Sequence, residues 1–186
     1  MGLDQKINIL WKSFQHGNKE AFASIYNQHL NMLFHYGTKL CTDEEIVKDA
    51  IQEVFIDLYL KRRKNKTNPE NLKYYLILAL KRSLIKKLKK NRKSVESISL
   101  HELSFDPEYN IEQVIIKNEE EREKSRRIEF MLNQLSVKQK EALYLRFNES
   151  MEYPEIAKVM NISVESVRKQ VYRAIKTIRE IFEKKL

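Results

Sequence analysis

The chain has 186 residues, room for one domain or two small ones, and 42% of them are hydrophobic, enough for a core. Only 3 Gly and 3 Pro leave little material for the turns of a sheet protein, and a single cysteine, Cys41, excludes an internal disulfide and any cysteine-based zinc site. A net charge of +9 favours an anionic partner where the positive residues cluster, and no stretch of about 18 apolar residues offers a membrane span.

The opening residues, MGLDQKINILWKSF, lack a basic start followed by an apolar block and a small-residue cleavage site, so a soluble, cytoplasmic protein is expected. Lys6 stands where myristoylation of Gly2 would require Ser or Thr. From Glu20 to Leu40, Phe22, Ile25, Tyr26, His29, Leu33, Tyr36 and Leu40 recur at steps of three and four, one face of an amphipathic helix. His29 on that face reads as a packed, hydrogen-bonded residue, and neither it nor His16, His35 or His101 is assigned any chemistry. Cys41 reads as a packing residue.

Thr42 to Glu45 has the T-x-x-E form of a capping box and opens a second helix. Ile46, Ala50, Val54 and Leu58 are expected to face inward, leaving Asp49, Gln52, Glu53, Ile56 and Tyr59 largely outside. That outer face mixes acid, amide and apolar groups, as a docking surface does. KRRKNKTNPEN then breaks the period, giving a loop over about 61–67, and Asn68 followed by Pro69 is a helix start.

The third helix, from Pro69 to about Lys93, is the most asymmetric segment. Ile77, Leu80, Leu84 and Leu88 fall in one sector at about 100° per residue, with Arg82, Lys86, Lys89 and Lys93 almost opposite. A solvated basic face and a membrane-surface helix are competing readings. The apolar stripe is narrow enough to be used up by two neighbouring helices, which favours a phosphate-binding face. From Ser94 to Asn118 no period is sustained, and the stretch reads as a linker. NEEEREKSRR restarts a charged helix that turns amphipathic at Ile128, Met131, Leu132 and Leu135.

Ser136 to Gln139 is a second capping box, opening a helix whose Leu143, Tyr144 and Phe147 are expected to pack. Pro154 sits in the first turn of the next helix, running from Glu155 to Met160, with Ile156, Ala157 and Met160 inward. Asn161 occupies a turn position where a positive φ is commonly required, and Ser163 caps the last helix. There Val164, Val167, Val171, Ala174 and Ile178 form a buried stripe, leaving Glu165, Ser166, Arg168, Lys169, Gln170, Tyr172 and Arg173 outside or at the boundary. The spacing predicts a helix-turn-helix, whose second helix enters the major groove; a helical hairpin with a charged outer face is the plainer reading.

In order and spacing nearly the whole chain resembles an extracytoplasmic-function sigma factor, the minimal two-domain member of the sigma-70 family. KEAFASIYNQHLNMLFHYG resembles that family's A-F-x-x-L-Y-x-x-Y stretch, and VKDAIQEVFIDLY its D-x-x-Q-E-x-F-x-x-L-[WY] motif, the most specific match. NLKYYLILALKRSLIKKLKKNRK is similar to the end of its first domain, and residues 132–179 to its second. The resemblance implies that Asp49, Gln52 and Glu53, with Ile56 and Tyr59 on the same outer face, dock on the clamp helices of the largest subunit of RNA polymerase.

It further implies that the loop, through Lys64, Asn65, Lys66, Asn68 and Asn71, and the basic helix, through Arg82, Lys86, Lys89, Lys90 and Lys93, recognise and open the minus-ten promoter element. A base pulled from the stack would enter a pocket at the loop. Ser166, Arg168, Lys169, Gln170, Tyr172 and Arg173 would meet the minus-thirty-five element. Further implied partners are the polymerase flap region and an anti-sigma factor. Lys87, Lys140, Asn161 and Gln170 depart from the family's usual Asp, Arg, Gly and Arg.

The expectation is thus an all-α protein with two small helical domains, 1–93 and 119–186, joined by a flexible linker over 94–118, the second a helix-turn-helix. It is a promoter-recognition subunit with no membrane insertion. No paired carboxylates, metal-ligand cluster or phosphate loop suggests catalysis, so no catalytic residue, cofactor or metal is expected. The alternatives are a stand-alone helix-turn-helix regulator with a partner- or ligand-binding N-terminal bundle, and an RNA-binding adaptor using the Lys-rich helix.

Overall fold

The computed structural model describes residues 3–65, 71–91, 105 and 119–183. The described residues are helical with no strand, and the chain divides into two units, Met1–Leu103 and Ser104–Leu186. Almost all of the stretch read as a linker lies outside the described residues; Phe105 is the exception, buried with its ring centre 5.6 Å from that of Tyr144.

Unit 1 opens with α1 (Leu3–Gln15), a helix the sequence reading did not anticipate. Its Trp11 and Phe14 are buried, and their rings begin a relay of contacts: Phe14 to Phe22 at 5.9 Å, Phe22 to Tyr59 at 5.1 Å and Tyr26 to Phe55 at 4.6 Å. Aromatic pairs at such separations add to the burial energy of each ring, and here they join three helices. Gly17, at φ +94°, makes the corner after α1, where a side chain would be strained. Asn18 then caps α2 (Lys19–Thr38), its Oδ1 accepting from the Ala21 N–H at 2.8 Å.

Ile25, Leu33 and Tyr36 are buried as the period predicts, while Phe22, Tyr26 and His29 are half-buried. The His29 Nδ1–H donates to the Ile25 carbonyl at 2.9 Å, and burial pushes the imidazole pKa down. Near the end of α2, Gly37 allows α3 (Glu44–Leu60) to approach: a Cβ there would lie 2.6 Å from Val47 Cγ1.

Two expectations for α3 need correction. Its cap is Asp43 rather than Thr42: the carboxylate Oδ1 accepts from both the Glu45 and Ile46 N–H groups, at 3.0 and 3.2 Å. A charged acceptor of two N–H groups satisfies more of the helix start than one hydroxyl does. The buried stripe is also wider than expected, with Val47, Ile51 and Phe55 beside Ala50, Val54 and Leu58, while Ile46 is only half-buried. Two neighbours, α2 and α4 (Leu72–Asn91), flank the helix and so cover two faces of it.

Helix α4 is described from Leu72 to Asn91; its expected start at Asn68 and Pro69 and its expected end at Lys93 lie outside the described residues. Ile77, Leu80 and Leu84 are buried, Leu88 half-buried, and Leu72, Leu76 and Ile85 extend the stripe. Lys81 is buried among them at 1% exposure, so it contributes nothing to the basic face.

In unit 2, α5 (Glu119–Asn133) packs on α8 (Val164–Glu183). Met131 and Leu132 are half-buried and Leu135 is buried, but Ile128 remains exposed. The Ser136 to Gln139 capping box forms and opens α6 (Val137–Leu143). The helix then widens into a π turn, Tyr144–Asn148, closed by Glu149 N–H donating to the Tyr144 carbonyl at 3.2 Å. One extra residue per turn rotates Phe147 off the face that buries Tyr144, and Phe147 is exposed rather than packed.

Helix α7 (Tyr153–Met160) begins two residues before the expected Glu155, because the first turn includes Tyr153 and Pro154. Its start is a box made by acids: the Glu155 carboxylate accepts from the Glu152 N–H at 2.9 Å. Ile156, Ala157, Val159 and Met160 are buried. Asn161 adopts φ 53°, ψ 47°, and the Ile162 N–H donates to the Ala157 carbonyl at 3.0 Å, closing the turn into α8. Val167, Val171 and Ala174 are buried beneath it, with Val164 and Ile178 half-buried at the margins.

Candidate functional site

Two surfaces gather the residues singled out from the sequence, one on each unit. In unit 1, Asp49, Gln52, Glu53 and Ile56 lie on one exposed face of α3, as steps of three and four require. Tyr59 departs from that face. Its ring is half-buried, 5.1 Å from that of Phe22, and the Arg62 guanidinium sits 4.2 Å above it. A ring of that size is drawn to the aromatic relay, so Tyr59 supports the helix more than it displays a surface.

An open groove of about 480 Å³ separates this face from α4, with Glu53, Ile56, Asp57, Tyr75, Arg82 and Lys86 along its walls. Arg82, Lys86, Lys89 and Lys90 are exposed, and the first two overlook the groove. The exposed α3 face and the basic α4 face therefore share an edge. Asp57, exposed beside Ile56, is paired with Lys61 at 2.6 Å.

At the loop after α3, Lys64 and Asn71 are exposed and Asn65 is half-buried, while Lys66, Asn68 and Lys93 lie outside the described residues. The loop is held by the end of α1: Gln15 Nε2 donates to the Asn65 carbonyl at 3.0 Å. Arg62 Nη1 donates to the Tyr59 carbonyl at 2.8 Å and its guanidinium lies against the Gly17 corner. These supports were missed because α1 was, and no local pattern announces a contact across 50 residues.

Between the two faces stands Lys87, where the family resemblance leads one to expect Asp. Its ammonium lies 2.8 Å from Glu53 Oε1 and 3.9 Å from Asp49 Oδ2. Ser83 Oγ donates to Glu53 Oε2 at 2.9 Å. The Lys87 hydrogen bond, helped by Ser83 and the nearby charge of Lys86, outweighs partial burial and holds the Glu53 carboxyl below the usual carboxylate range.

In unit 2 the second helix of the motif exposes Arg168, Lys169, Tyr172 and Arg173, while Ser166 and Gln170 are half-buried. The Ser166 N–H donates to Ser163 Oγ at 3.1 Å, and the two hydroxyls lie 2.8 Å apart, so Ser166 is partly occupied in capping the helix. Lys169 pairs with Glu165 at 2.7 Å, a surface contact of small value. Arg168 rests over the Tyr153 ring, 5.6 Å from its centre, and Arg146 approaches the same ring at 4.9 Å.

Arg146 is itself fixed, Nη1 donating to the Met151 carbonyl at 2.8 Å and to Glu152 Oε1 at 3.0 Å. Arg146, Glu152 and Tyr153 thus brace the start of α8, and the sequence reading assigned none of them a part. The E-x-x-E pattern of Glu152 and Glu155 was the available signal, though acids at a helix start are usually read only as charge.

The turn itself carries a test. Asn161 tolerates the left-handed region through its short polar side chain, which Ala lacks. Asn161→Ala is expected to destabilise the fold by about 1 kcal/mol and Asn161→Gly to leave it level or slightly firmer, as read from urea midpoints.

Such an arrangement presents positive charge and hydrogen-bond donors on two separate helices, α4 and α8, each beside a turn or loop. Phosphates meet the first kind of group and base edges the second. Among the described residues no group of three or more His, Cys, Asp or Glu could hold a metal, and no helix is long and apolar enough to cross a membrane.

Comparison with known proteins agrees with this division. A family model for Sigma-70 region 2 matches residues 25–94, and one for Sigma-70, region 4 matches residues 125–178. The chain is similar to a solved structure of CnrH in complex with the cytosolic domain of CnrY, with 18% identity and a TM-score of 0.56, covering 94% of this chain and 96% of that one. It is also similar to the sigma factor RpoE of Bartonella quintana, solved with the anti-sigma factor NepR, with 17% identity and a TM-score of 0.53, covering 87% and 96%. At such identities the likeness speaks for the fold. No curated protein matches the sequence.

Proposed function

The chain belongs to the sigma-70 family, and from that premise we propose that it is a two-domain sigma factor of the extracytoplasmic-function kind, which brings core RNA polymerase to a promoter and helps to open it. The observation that carries the proposal is the order of the two matched regions along one chain, region 2 at 25–94 and region 4 at 125–178. A stand-alone regulator would need only the second, and that reading is not favoured.

In this reading residues 1–93 form the docking and minus-ten domain, 94–118 the linker and 119–186 the minus-thirty-five domain. Asp49, Gln52, Glu53 and Ile56 dock on the clamp helices, with Tyr59 bracing the helix from beneath. Lys64, Asn65, Lys66, Asn68 and Asn71 receive a base flipped from the non-template strand. Unstacking a base costs a few kcal/mol, which the loop offsets by enclosing the base and α4 offsets by phosphate contacts through Arg82, Lys86, Lys89, Lys90 and Lys93. Arg168, Lys169, Gln170, Tyr172 and Arg173 meet the minus-thirty-five duplex, with Ser166 near its backbone.

The chain performs no bond chemistry of its own in this scheme and works in the cytoplasm, where the polymerase is. The two similar structures each hold their protein in a complex, one of them with an anti-sigma factor, which supports a comparable partner covering the docking surfaces here.

The test is transcription reconstituted with core polymerase free of other sigma factors, on genomic fragments. Promoter-specific transcripts that depend on the added protein are expected; no complex with core and no transcripts would refute the proposal. Within it, Lys89→Ala is expected to weaken promoter binding alike for all sequences and to reduce the slope of log affinity against log salt by about 1, as loss of one phosphate contact does. Titration of binding at several salt concentrations reads both.

A further inference from the structure

Lys87 stands apart from the other cations of α4. Arg82, Lys86, Lys89 and Lys90 extend into solvent, whereas the Lys87 side chain is only 21% exposed and ends between Asp49 and Glu53. Those two carboxylates lie one turn apart on α3, where like charges repel, and an ammonium beside both relieves the repulsion. Ser83, one turn before Lys87, supplies the second donor. Each oxygen of Glu53 thus receives one hydrogen bond from α4: Oε1 from Lys87 at 2.8 Å and Oε2 from Ser83 at 2.9 Å.

A carboxylate offers about four acceptor sites. With two occupied from behind and the Glu53 side chain still 56% exposed, the remaining sites face outward. We propose that Lys87, with Ser83, is a positioning residue that holds the Glu53 carboxylate in one orientation for docking on the polymerase, so that the promoter-contacting helix sets the geometry of the docking helix. The inference rests on the docking role given above to α3. It adds that α3 does not present its acid unaided. A glutamate free on an exposed helix would lose its rotamer freedom on docking, whereas one held by two donors from a packed neighbour has lost it on folding.

The same contacts explain how Lys takes a place where the family resemblance leads one to expect Asp. Asp at 87 would set a third carboxylate beside Asp49 and Glu53. Lys87 is correspondingly withdrawn from the cations available to DNA. Because Glu53 is more than half exposed, the pair adds little to folding stability, and its effect is read in binding rather than in the melting temperature.

The experiment is a double-mutant cycle on the full-length protein, with affinity for core RNA polymerase measured for the wild type, Lys87→Ala, Glu53→Ala and the double variant, and circular dichroism and melting recorded for each. Lys87→Ala is expected to weaken core binding about threefold to tenfold, Lys87→Arg to stay within about twofold of wild type, and Lys87→Asp to fall below Lys87→Ala. In the Glu53→Ala background Lys87→Ala is expected to change nothing further, since its effect passes through Glu53. Independent, multiplying effects of the two substitutions would overturn the inference, as would a gain in affinity on Lys87→Ala, which would make Lys87 a mask over the acid. If Glu53→Ala weakens docking and Lys87→Ala does not, the role of Lys87 alone falls. If Glu53→Ala itself leaves core binding unchanged, the docking assignment falls and this inference with it.

Discussion

Replacing Gln52 and Glu53 together by alanine is expected to weaken binding to core RNA polymerase by about 2–3 kcal/mol, roughly 30-fold to 150-fold, and to reduce transcription in step when core is limiting. Both side chains are exposed on α3, so neither supports the hydrophobic core and the melting temperature should move little. The loss arises instead at the interface, where a partner cation or donor would be desolvated with nothing opposite it. Direct binding of the full-length variant to minus-thirty-five duplex should remain at the wild-type level, because the residues proposed for that contact are in the other unit. Equal loss of polymerase and duplex binding would mean that the double variant is misfolded or that α3 has another task.

Acidification sharpens the same prediction. Glu53 has its carboxyl held below the usual range, chiefly by the Lys87 hydrogen bond. A depressed carboxylate pKa keeps its contribution above the unfolded value and loses it only as pH falls through the lower, folded one. Docking by the wild type should therefore survive through the ordinary glutamate range. Lys87→Ala should lose affinity at higher pH than the wild type does, with Lys86 and Arg82 on α4 and Asp49 and Asp57 on α3 as the other charges facing the site. Affinity measured across an acidic series reads the displacement; coincident profiles would mean that Lys87 does not set the ionisation of Glu53.

How far the sequence could be read depended on where each signal came from. Helix α2, the capping box at Ser136 and the turn at Asn161 rest on local chemistry, apolar period or backbone preference, and each was legible. Whatever needed a partner from elsewhere in the chain was not. Tyr59 was placed outside because its position on α3 allows it, and only the Phe22 ring brought in by α2 turns it inward. Helix α1 passed unread because its short apolar set acquires meaning only when Trp11 and Phe14 meet the aromatic relay. The pairing of Lys87 with Glu53 spans 34 residues, and sequence alone marked Lys87 merely as a substitution. The π turn that exposes Phe147 has no residue signature at all. The candidate surfaces thus followed from period and resemblance, whereas the contacts that orient their side chains are tertiary.

Arg168→Ala is expected to cost about 1–3 kcal/mol at a preferred minus-thirty-five sequence and to relax preference chiefly at one base pair. Of the exposed residues near the start of α8, Arg168 alone combines a forked donor with a brace: its guanidinium rests over Tyr153, which Arg146 also approaches, and Arg146 is fixed by Glu152 and the Met151 carbonyl. Lys169 is a point charge already paired with Glu165, so Lys169→Ala should lose less and equally for all sequences. Tyr153→Ala should reproduce part of the Arg168 effect, since an unbraced guanidinium loses more freedom on meeting a base, while Tyr153→Phe keeps the ring and should keep the preference. Competition binding against duplexes changed one base pair at a time separates these outcomes. A penalty for Arg168→Ala that is uniform across the set would make Arg168 a phosphate contact and leave base reading to Tyr172 and Arg173 farther along the helix.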